Sequence, residues 1–248
     1  MELIVLGSGS LVPTLSRGTA GFVVKVSGKT ILIDSGSGTL YRLLRAGLTY
    51  NDIDIICYTH IHLDHVCDFA TILFTCKYGI PPRERDLLVL GGEGFISFYE
   101  KLKTVYGDQI QPDRFNVVIE EQASRDFGEF SIKTGPVDHI PESIAFGIES
   151  ADGKSAVFTG DTDYSTNLIN LARNADVLVT ECSFPDNRKV AGHLTPSFAG
   201  KIAQEANAKM LVLAHLYPPC DEVDIASQCR KTYNGEIIVA QDQMKIEI

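Results

Sequence analysis

The sequence predicts a mixed α/β domain in which a set of strands and helices is laid down once and then repeated. Three observations predict it. Short apolar runs bounded by Gly, Pro or Asp, such as residues 3–6 and 176–180, have the length and composition of strands. Stretches with apolar residues three and four apart, such as residues 66–78, have the period of helices. The order of strands, then a helix or two, then strands occurs up to about residue 134 and again from Gly135, with no flexible linker or low-complexity segment between. The 248 residues are therefore read as one domain of two pseudo-repeated halves, about 1–134 and 135–248, sharing one core.

In chain order, residues 3–6 form the first strand, stopped by Gly7-Ser8-Gly9-Ser10. That turn could cradle a phosphate, but a bare G-x-G is weak, and a tight turn at positive φ is the simpler expectation. Residues 21–26 and 30–34 make a hairpin around Ser27-Gly28-Lys29. Residues 39–46 have a helical pattern ending at Gly47. The strand at 52–57 precedes a predicted helix at 66–78, apolar at Phe69, Ile72, Leu73 and Cys76 and stopped by Gly79 and Pro81-Pro82. A short strand at 87–90, an amphipathic helix at 96–106 and strands at 115–119 and 129–133 complete the first half. In the second, strands 144–149 and 155–158 flank Asp152-Gly153, a strong hairpin pair. A helix at 168–174 leads to residues 176–180, whose near-continuous apolar character predicts burial on both faces. A helix at 196–206, with Thr195 as N-cap before Pro196, and strands at 209–214, 236–240 and 244–248 follow.

A net charge of −10 argues against a broadly basic nucleic-acid-binding face, although bound divalent ions would make a local cationic site. The first residues lack the basic segment of a signal peptide, and no apolar run approaches the ~18 residues of a spanning helix, so a cytoplasmic protein without a membrane segment is expected. The six cysteines form no C-x-x-C pair and are read as free, buried thiols. Cys67, two residues past His65, has the composition of a metal ligand, but core packing is the favoured reading.

The stretch Tyr58-Thr59-His60-Ile61-His62-Leu63-Asp64-His65 concentrates the chemistry. Three histidines and an aspartate fall in the pattern H-x-H-x-D-H at the end of an apolar run. In an extended segment residues two apart point the same way, so His60 and His62 can close on one metal. Asp64 and His65 come where the chain turns into a helix, project differently, and can serve a second ion. The alternative, four polar residues on a solvated loop, loses ground to the further histidines that follow strands downstream.

His60-Ile61-His62-Leu63-Asp64-His65 resembles the signature of the metallo-β-lactamase superfamily. The resemblance implies an α/β fold of the four-layer αββα kind, two sheets face to face with helices outside, and a dinuclear metal site at the sheet edge. It assigns His60, His62 and His139 to the first metal, and Asp64, His65 and His215 to the second. Asp161, in Thr159-Gly160-Asp161-Thr162, would bridge them. The implied cofactors are two divalent ions, Zn first, with Mn or Fe as alternatives, sharing a hydroxide that acts as nucleophile. Asp64 could also accept that water's remaining proton. Asp34, in Asp34-Ser35-Gly36, matches an element that supports the metal loop without being a ligand.

The sixth histidine narrows the resemblance. Thr180-Glu181-Cys182-Ser183-Phe184 followed by Gly192-His193-Leu194-Thr195 is similar to two elements of the ribonuclease Z branch, H-E-A-T-F and H-S-T, with changes in both. The resemblance gives Glu181 and His193 a joint catalytic part, the histidine protonating or hydrogen-bonding a phosphate. It also implies a long Gly- and Pro-rich arm that grips tRNA, between the positions of His139 and Asp161. Here those residues are only 22 apart, which leaves no room for the arm. The cysteine-rich zinc insertion of a related branch is also absent near residues 11–17. The expected activity is thus a dinuclear-metal phosphodiesterase acting on a small phosphodiester, such as a cyclic nucleotide or cyclic phosphate sugar, or on RNA. The alternatives are hydrolysis of carboxylic esters, thioesters, lactones or β-lactams, a di-iron redox or sensor protein, and a binding subunit without catalysis. A homodimer is implied by the resemblance alone.

Overall fold

The computed structural model describes residues 1–248. The first half opens with β1 (Glu2–Gly7), β2 (Gly21–Val26), β3 (Lys29–Ile33), α1 (Thr39–Arg45) and β4 (Ile55–Tyr58). It continues with α2 (Leu63–Val66), α3 (Phe69–Tyr78), β5 (Leu87–Gly91), α4 (Phe95–Tyr106) and β6 (Val117–Glu121). Then come β7 (Arg125–Asp126), β8 (Phe130–Pro136), β9 (Ile144–Ser150), β10 (Ser155–Phe158), α5 (Thr166–Leu171) and β11 (Val177–Glu181). The chain ends with α6 (Pro196–Ala206), β12 (Met210–Ala214), α7 (Ile225–Cys229), β13 (Glu236–Val239) and β14 (Lys245–Glu247).

The strands form two seven-stranded sheets, ordered β14-β1-β2-β3-β4-β5-β6 and β13-β12-β11-β10-β9-β8-β7. Each is antiparallel on one side and parallel on the other: β3 to β6 are parallel in the first sheet, and β10 to β13 in the second. The alternation of side chains along each strand divides the core into layers. Leu3, Val5, Phe22, Ile33, Phe146, Phe158 and Val179 fill the space between the sheets. Ile4, Leu32, Ile56 and Val89 face outward under Leu43, Phe69, Leu73 and Phe95 of the first half's helices. Leu178, Leu211 and Leu213 do the same under Leu168, Ile202 and Cys229 in the second. Each such buried side chain contributes roughly 1.5–3 kcal/mol, and both faces of β11 are buried as its apolar run predicts. The result is the four-layer αββα sandwich.

The structure redraws several predicted elements. The helix expected at 66–78 is two helices, α2 and α3, because the backbone between them is drawn to the Asp34 loop. His65 O accepts from Ser35 N at 2.7 Å, and Asp68 N donates to Ser35 O at 2.9 Å. The helix expected at 168–174 starts and ends earlier, as α5, since Asn174 leaves it at φ 60 and donates to Ala206 O. Thr195 occupies the N-cap position of α6 but its side chain makes no capping bond. The short β7 and α7 have too few residues to show a period; α7 is started instead by Asp224, which accepts from Ser227 N at 2.9 Å.

The Gly7-Ser8-Gly9 turn is neither a phosphate cradle nor a positive-φ turn. Its amides are spent inside the protein: Ser8 N donates to Asp242 Oδ1 at 2.9 Å and Gly9 N to Gly18 O at 2.8 Å. Gly7 is needed because a Cβ there would lie 2.0 Å from Thr19 O.

Candidate metal centre

All the chemistry-bearing segments leave their strands at one edge of the sandwich. His60 follows β4, His139 follows β8, Asp161 follows β10, Glu181 ends β11 and His215 follows β12. These are carboxyl ends of strands running the same way, where an α/β sheet leaves a crevice. Asp64 and His65 enter from α2, and His62 sits exposed at the mouth. Two of the connections require unusual backbone. His215 takes φ 54, turning the imidazole back over the sheet end. Gly160 takes φ 58, and a Cβ there would meet Thr59 Cβ at 2.5 Å, so glycine alone lets Asp161 come so close to the His60 segment.

The residues converge in two overlapping groups: His60, His62, His139 and Asp161, then Asp64, His65, Asp161 and His215. In the first, His60 Nε2 and His139 Nε2 each lie 3.0 Å from His62 Nδ1 and 3.8 Å from Asp161 Oδ2. In the second, Asp161 Oδ1 is 3.3 Å from His65 Nε2 and 3.4 Å from His215 Nε2, with Asp64 Oδ2 3.9 and 3.1 Å from the same two nitrogens. Bonds of about 2.0–2.2 Å in a tetrahedral site hold ligand atoms about 3.3 Å apart, within the 3.0–3.9 Å range of these separations.

The hydrogen-bond partners behind the rings test whether a cation fits. His65 Nδ1 donates to Asp34 Oδ2 at 2.8 Å, and His139 Nδ1 to Gly192 O at 2.9 Å. His215 Nδ1 donates to Ser183 Oγ at 3.0 Å, and His60 Nδ1 to Thr59 Oγ1 at 3.1 Å; Thr59 Oγ1 in turn donates to Asp34 Oδ2 at 2.8 Å. With Nδ1 protonated, each neutral ring turns a bare Nε2 toward the centre. Buried His65 Nε2 and Asp161 Oδ1 find no hydrogen-bond partner at all. Lone pairs so close repel unless a cation lies among them, so the donor set fits a metal.

The electrostatics agree. Burial and the neighbouring His65 push the His60 pKa well below the ordinary histidine value, keeping it neutral. Burial opposes charge on His65 too, but Asp161 and Asp34 outweigh it and raise its pKa well above that value, so its Nε2 attracts a proton or, in the proton's place, a metal cation. Burial likewise opposes charge on Asp161, yet His215 and His65 hold its carboxyl well below the usual range. The site is a buried anionic hollow that seeks positive charge.

The family model described as Metallo-beta-lactamase superfamily matches residues 14–215. The chain belongs to that superfamily. It accordingly binds divalent metal, and three groups of side chains could hold an ion: the two clusters above and a third made by Glu181, His193 and His215. Among relatives of this superfamily member, a protein named Probable metallo-hydrolase YhfI from Bacillus subtilis is 28% identical over 249 residues, covering 97% of each chain. The crystal structure of YhfI superposes with a TM-score of 0.85 at 24% identity, covering 99% of both chains, and shows the same fold. A protein named Ribonuclease Z from Streptomyces avermitilis is 26% identical over 296 residues, covering all of this chain and 97% of the relative.

His193 and Glu181 also arrive at the centre. His193 Nδ1 is 3.1 Å from Glu181 Oε1 and 3.8 Å from Asp161 Oδ2. Glu181 is buried, and its Oε1 also accepts from Thr162 N at 2.6 Å. Burial disfavours a charged His193, but the hydrogen bond and charge of Glu181, with Asp161 and Asp64 beyond it, more than compensate and raise its pKa. Two residues that sequence reasoning passed over complete the arrangement. Ser183 Oγ accepts from His215 Nδ1 and donates to Glu181 Oε2 at 2.5 Å, linking the second cluster to the His193 pair. Asp163 Oδ2 accepts from Gly192 N at 3.0 Å and Lys189 Nζ at 2.6 Å, and so pins the loop that carries His193. Ser183 lies within the Thr180–Phe184 element without a role of its own there, and Asp163 has only its place two residues past Asp161 to mark it. Cys67 is half-buried and belongs to neither cluster.

Proposed function

We propose that this chain is a dinuclear-metal phosphodiesterase of the ribonuclease Z type that acts on small phosphodiesters. As a superfamily member it is a metal-dependent hydrolase; the proposal concerns the bond and the residues. His60, His62 and His139 would hold one ion, and Asp64, His65 and His215 the other. Asp161 would be shared, and nitrogen with carboxylate donors makes Zn the first expectation. Such ions supply a water acidified toward neutral pH and positive charge for the nonbridging phosphate oxygens. Asp64 keeps Oδ1 free of protein partners, so that oxygen can take a proton from the attacking water.

The observation that carries the reading is the His193–Glu181 pair. Glu181 orients the ring through Nδ1 and favours its protonated form, while Nε2 has no protein partner and is open to solvent. That is the equipment for protonating a poor leaving oxygen such as an alkoxide. Relatives named Ribonuclease Z support the class of bond. An alignment of 296 positions against a chain of 248 leaves at least 48 of them without a residue here, whereas the YhfI alignment is 249 long. With only the β9–β10 hairpin between His139 and Asp161, a small substrate is favoured over one that needs a long gripping arm.

Metal-loaded protein assayed in parallel on phosphodiesters, a thioester and a lactone tests the proposal. Phosphodiesters should be turned over preferentially. His193→Ala should lower kcat about 10²–10⁴-fold for an alkyl phosphodiester, at unchanged metal stoichiometry. The loss should be much smaller for bis-p-nitrophenyl phosphate, whose leaving group departs without a proton. Preferred thioester or lactone hydrolysis, or equal losses on both phosphodiesters, would overturn it.

A further inference from the structure

Resting on the phosphodiesterase reading, we propose that Phe184 and Tyr217 form an aromatic subsite for a flat ring, a nucleobase, carried by the leaving alcohol of the substrate. The two rings stack with centroids 4.7 Å apart and an interplanar angle of 24°. Phe184 meets the edge of His193 at 6.2 Å, and Tyr217 meets the edge of His215 at 5.7 Å. Both rings are half-buried, and neither belongs to any of the three apolar layers that hold the sandwich together. The Tyr217 hydroxyl makes no hydrogen bond within the protein and is open to solvent. The pair is thus aromatic surface that the core does not use, placed against the metal centre.

Its position selects the part of the substrate it would meet. In hydrolysis the water oxygen bonds to phosphorus, the bond from phosphorus to the leaving oxygen breaks, and the proton from His193 goes to that oxygen. The body of the leaving alcohol therefore lies beside His193, and the aromatic ring beside His193 on this wall is Phe184. The other neighbours of the His193 ring are polar: Glu181, Ser183 and His139. A ring next to the scissile oxygen can stack on the wall; an alkyl group gains far less there. Stacking of one base on an aromatic side chain changes binding roughly 5- to 100-fold.

The test compares kcat/KM of metal-loaded wild type, Phe184→Leu, Tyr217→Leu and Tyr217→Phe on two substrates. A nucleoside 2′,3′-cyclic phosphate and glycerol 1,2-cyclic phosphate open the same five-membered ring, with and without a base. The ratio of the two within one preparation is independent of the active fraction, so partial misfolding of a variant does not blur it. Wild type should prefer the nucleotide by about tenfold or more. Each leucine variant should cut that ratio by about fivefold or more, and Tyr217→Phe should keep it. A wild-type ratio near one, a ratio untouched in both leucine variants, or no opening of the nucleotide ring overturns the subsite. Bis-p-nitrophenyl phosphate, run beside them, reports the underlying reading separately: if it too is not hydrolysed, the phosphodiesterase assignment falls as well. A dinucleoside monophosphate as third substrate shows whether the base is presented by a free cyclic nucleotide or by an RNA chain.

Discussion

The metal clusters and the His193 loop meet at the same atoms but are held by different means. The clustered histidines leave buried strand ends or α2, and Asp34 alone steadies two of them, His65 by accepting from its Nδ1 and His60 by accepting from Thr59 N and Oγ1 behind it. His193 comes instead from an exposed loop, and side-chain bonds to Glu181 and Asp163 bring it to the centre. The first region is preorganised by the fold; the second depends on a few polar contacts that single substitutions can remove. Metal binding should therefore respond to changes in the clusters, and catalysis without metal loss to changes around the loop.

The largest effect should come from Asp161, the one residue common to both clusters. Asp161→Ala leaves His60, His65 and His215 facing one another with Asp64 as the only carboxylate left in the two clusters. Metal stoichiometry of the purified protein should fall, and activity with it by at least about 10³-fold, the several kcal/mol that metal-ion charge supplies. Full retention of the wild-type metal content by this variant would break the distinction between the two regions at its base.

Glu181→Gln ranks next and acts on the second region. Its expected cost is about 10- to 100-fold in kcat, with metal content near that of wild type. The pH profile sharpens the point. In the proposed role His193 is an acid only when protonated, so activity should be lost as pH rises through its pKa. Glu181 raises that pKa above the ordinary histidine value. Removing its charge lowers the pKa, and the alkaline fall in activity should begin at lower pH than in wild type. An alkaline limb that stays in place would mean that another group donates the proton.

The same contrast explains how much was legible in the sequence. The clusters could be read because their residues sit close together or directly after apolar runs: His60, His62, Asp64 and His65 in one stretch, and His139, Asp161 and His215 each past a strand. The sheets could be read because β1 to β5 and β9 to β12 are continuous apolar segments, nearly all buried. What could not be read depends on pairing across distance. Ser183 matters only because His215, thirty-two positions away, turns its Nδ1 there by adopting φ 54. The split between α2 and α3 depends on Ser35, whose claim on the backbone at His65 and Asp68 has no local signature. Asp163 looks like any loop aspartate until Gly192 and Lys189 fold onto it.

Asp163→Asn should give a smaller loss, about 10-fold in kcat, with KM and metal content little changed. The amide keeps an oxygen for Gly192 N but loses the ion pair with Lys189, so the loop should loosen without detaching. Proteolytic cleavage of the segment around residues 186–190, compared between variant and wild type, reports that loosening independently of turnover. An equal loss of bound metal would show that the loop also supports His139, whose Nδ1 donates to Gly192 O.

Cys67→Ser should have the smallest effect, and its smallness is informative. The thiol is close in sequence to His65, yet it lies outside both clusters. A metal would need it as a thiolate. Burial, with the charges of Asp68 and Asp64 beside it, pushes its pKa up instead and keeps the proton on sulfur. Serine matches its size at a half-buried position, so stability should shift by no more than about 0.5 kcal/mol, read as a change in Tm. Metal stoichiometry and kcat should match wild type. A drop in bound metal would place Cys67 in the coordination sphere and show that the junction between α2 and α3 can supply a ligand in addition to α2 and the strand ends.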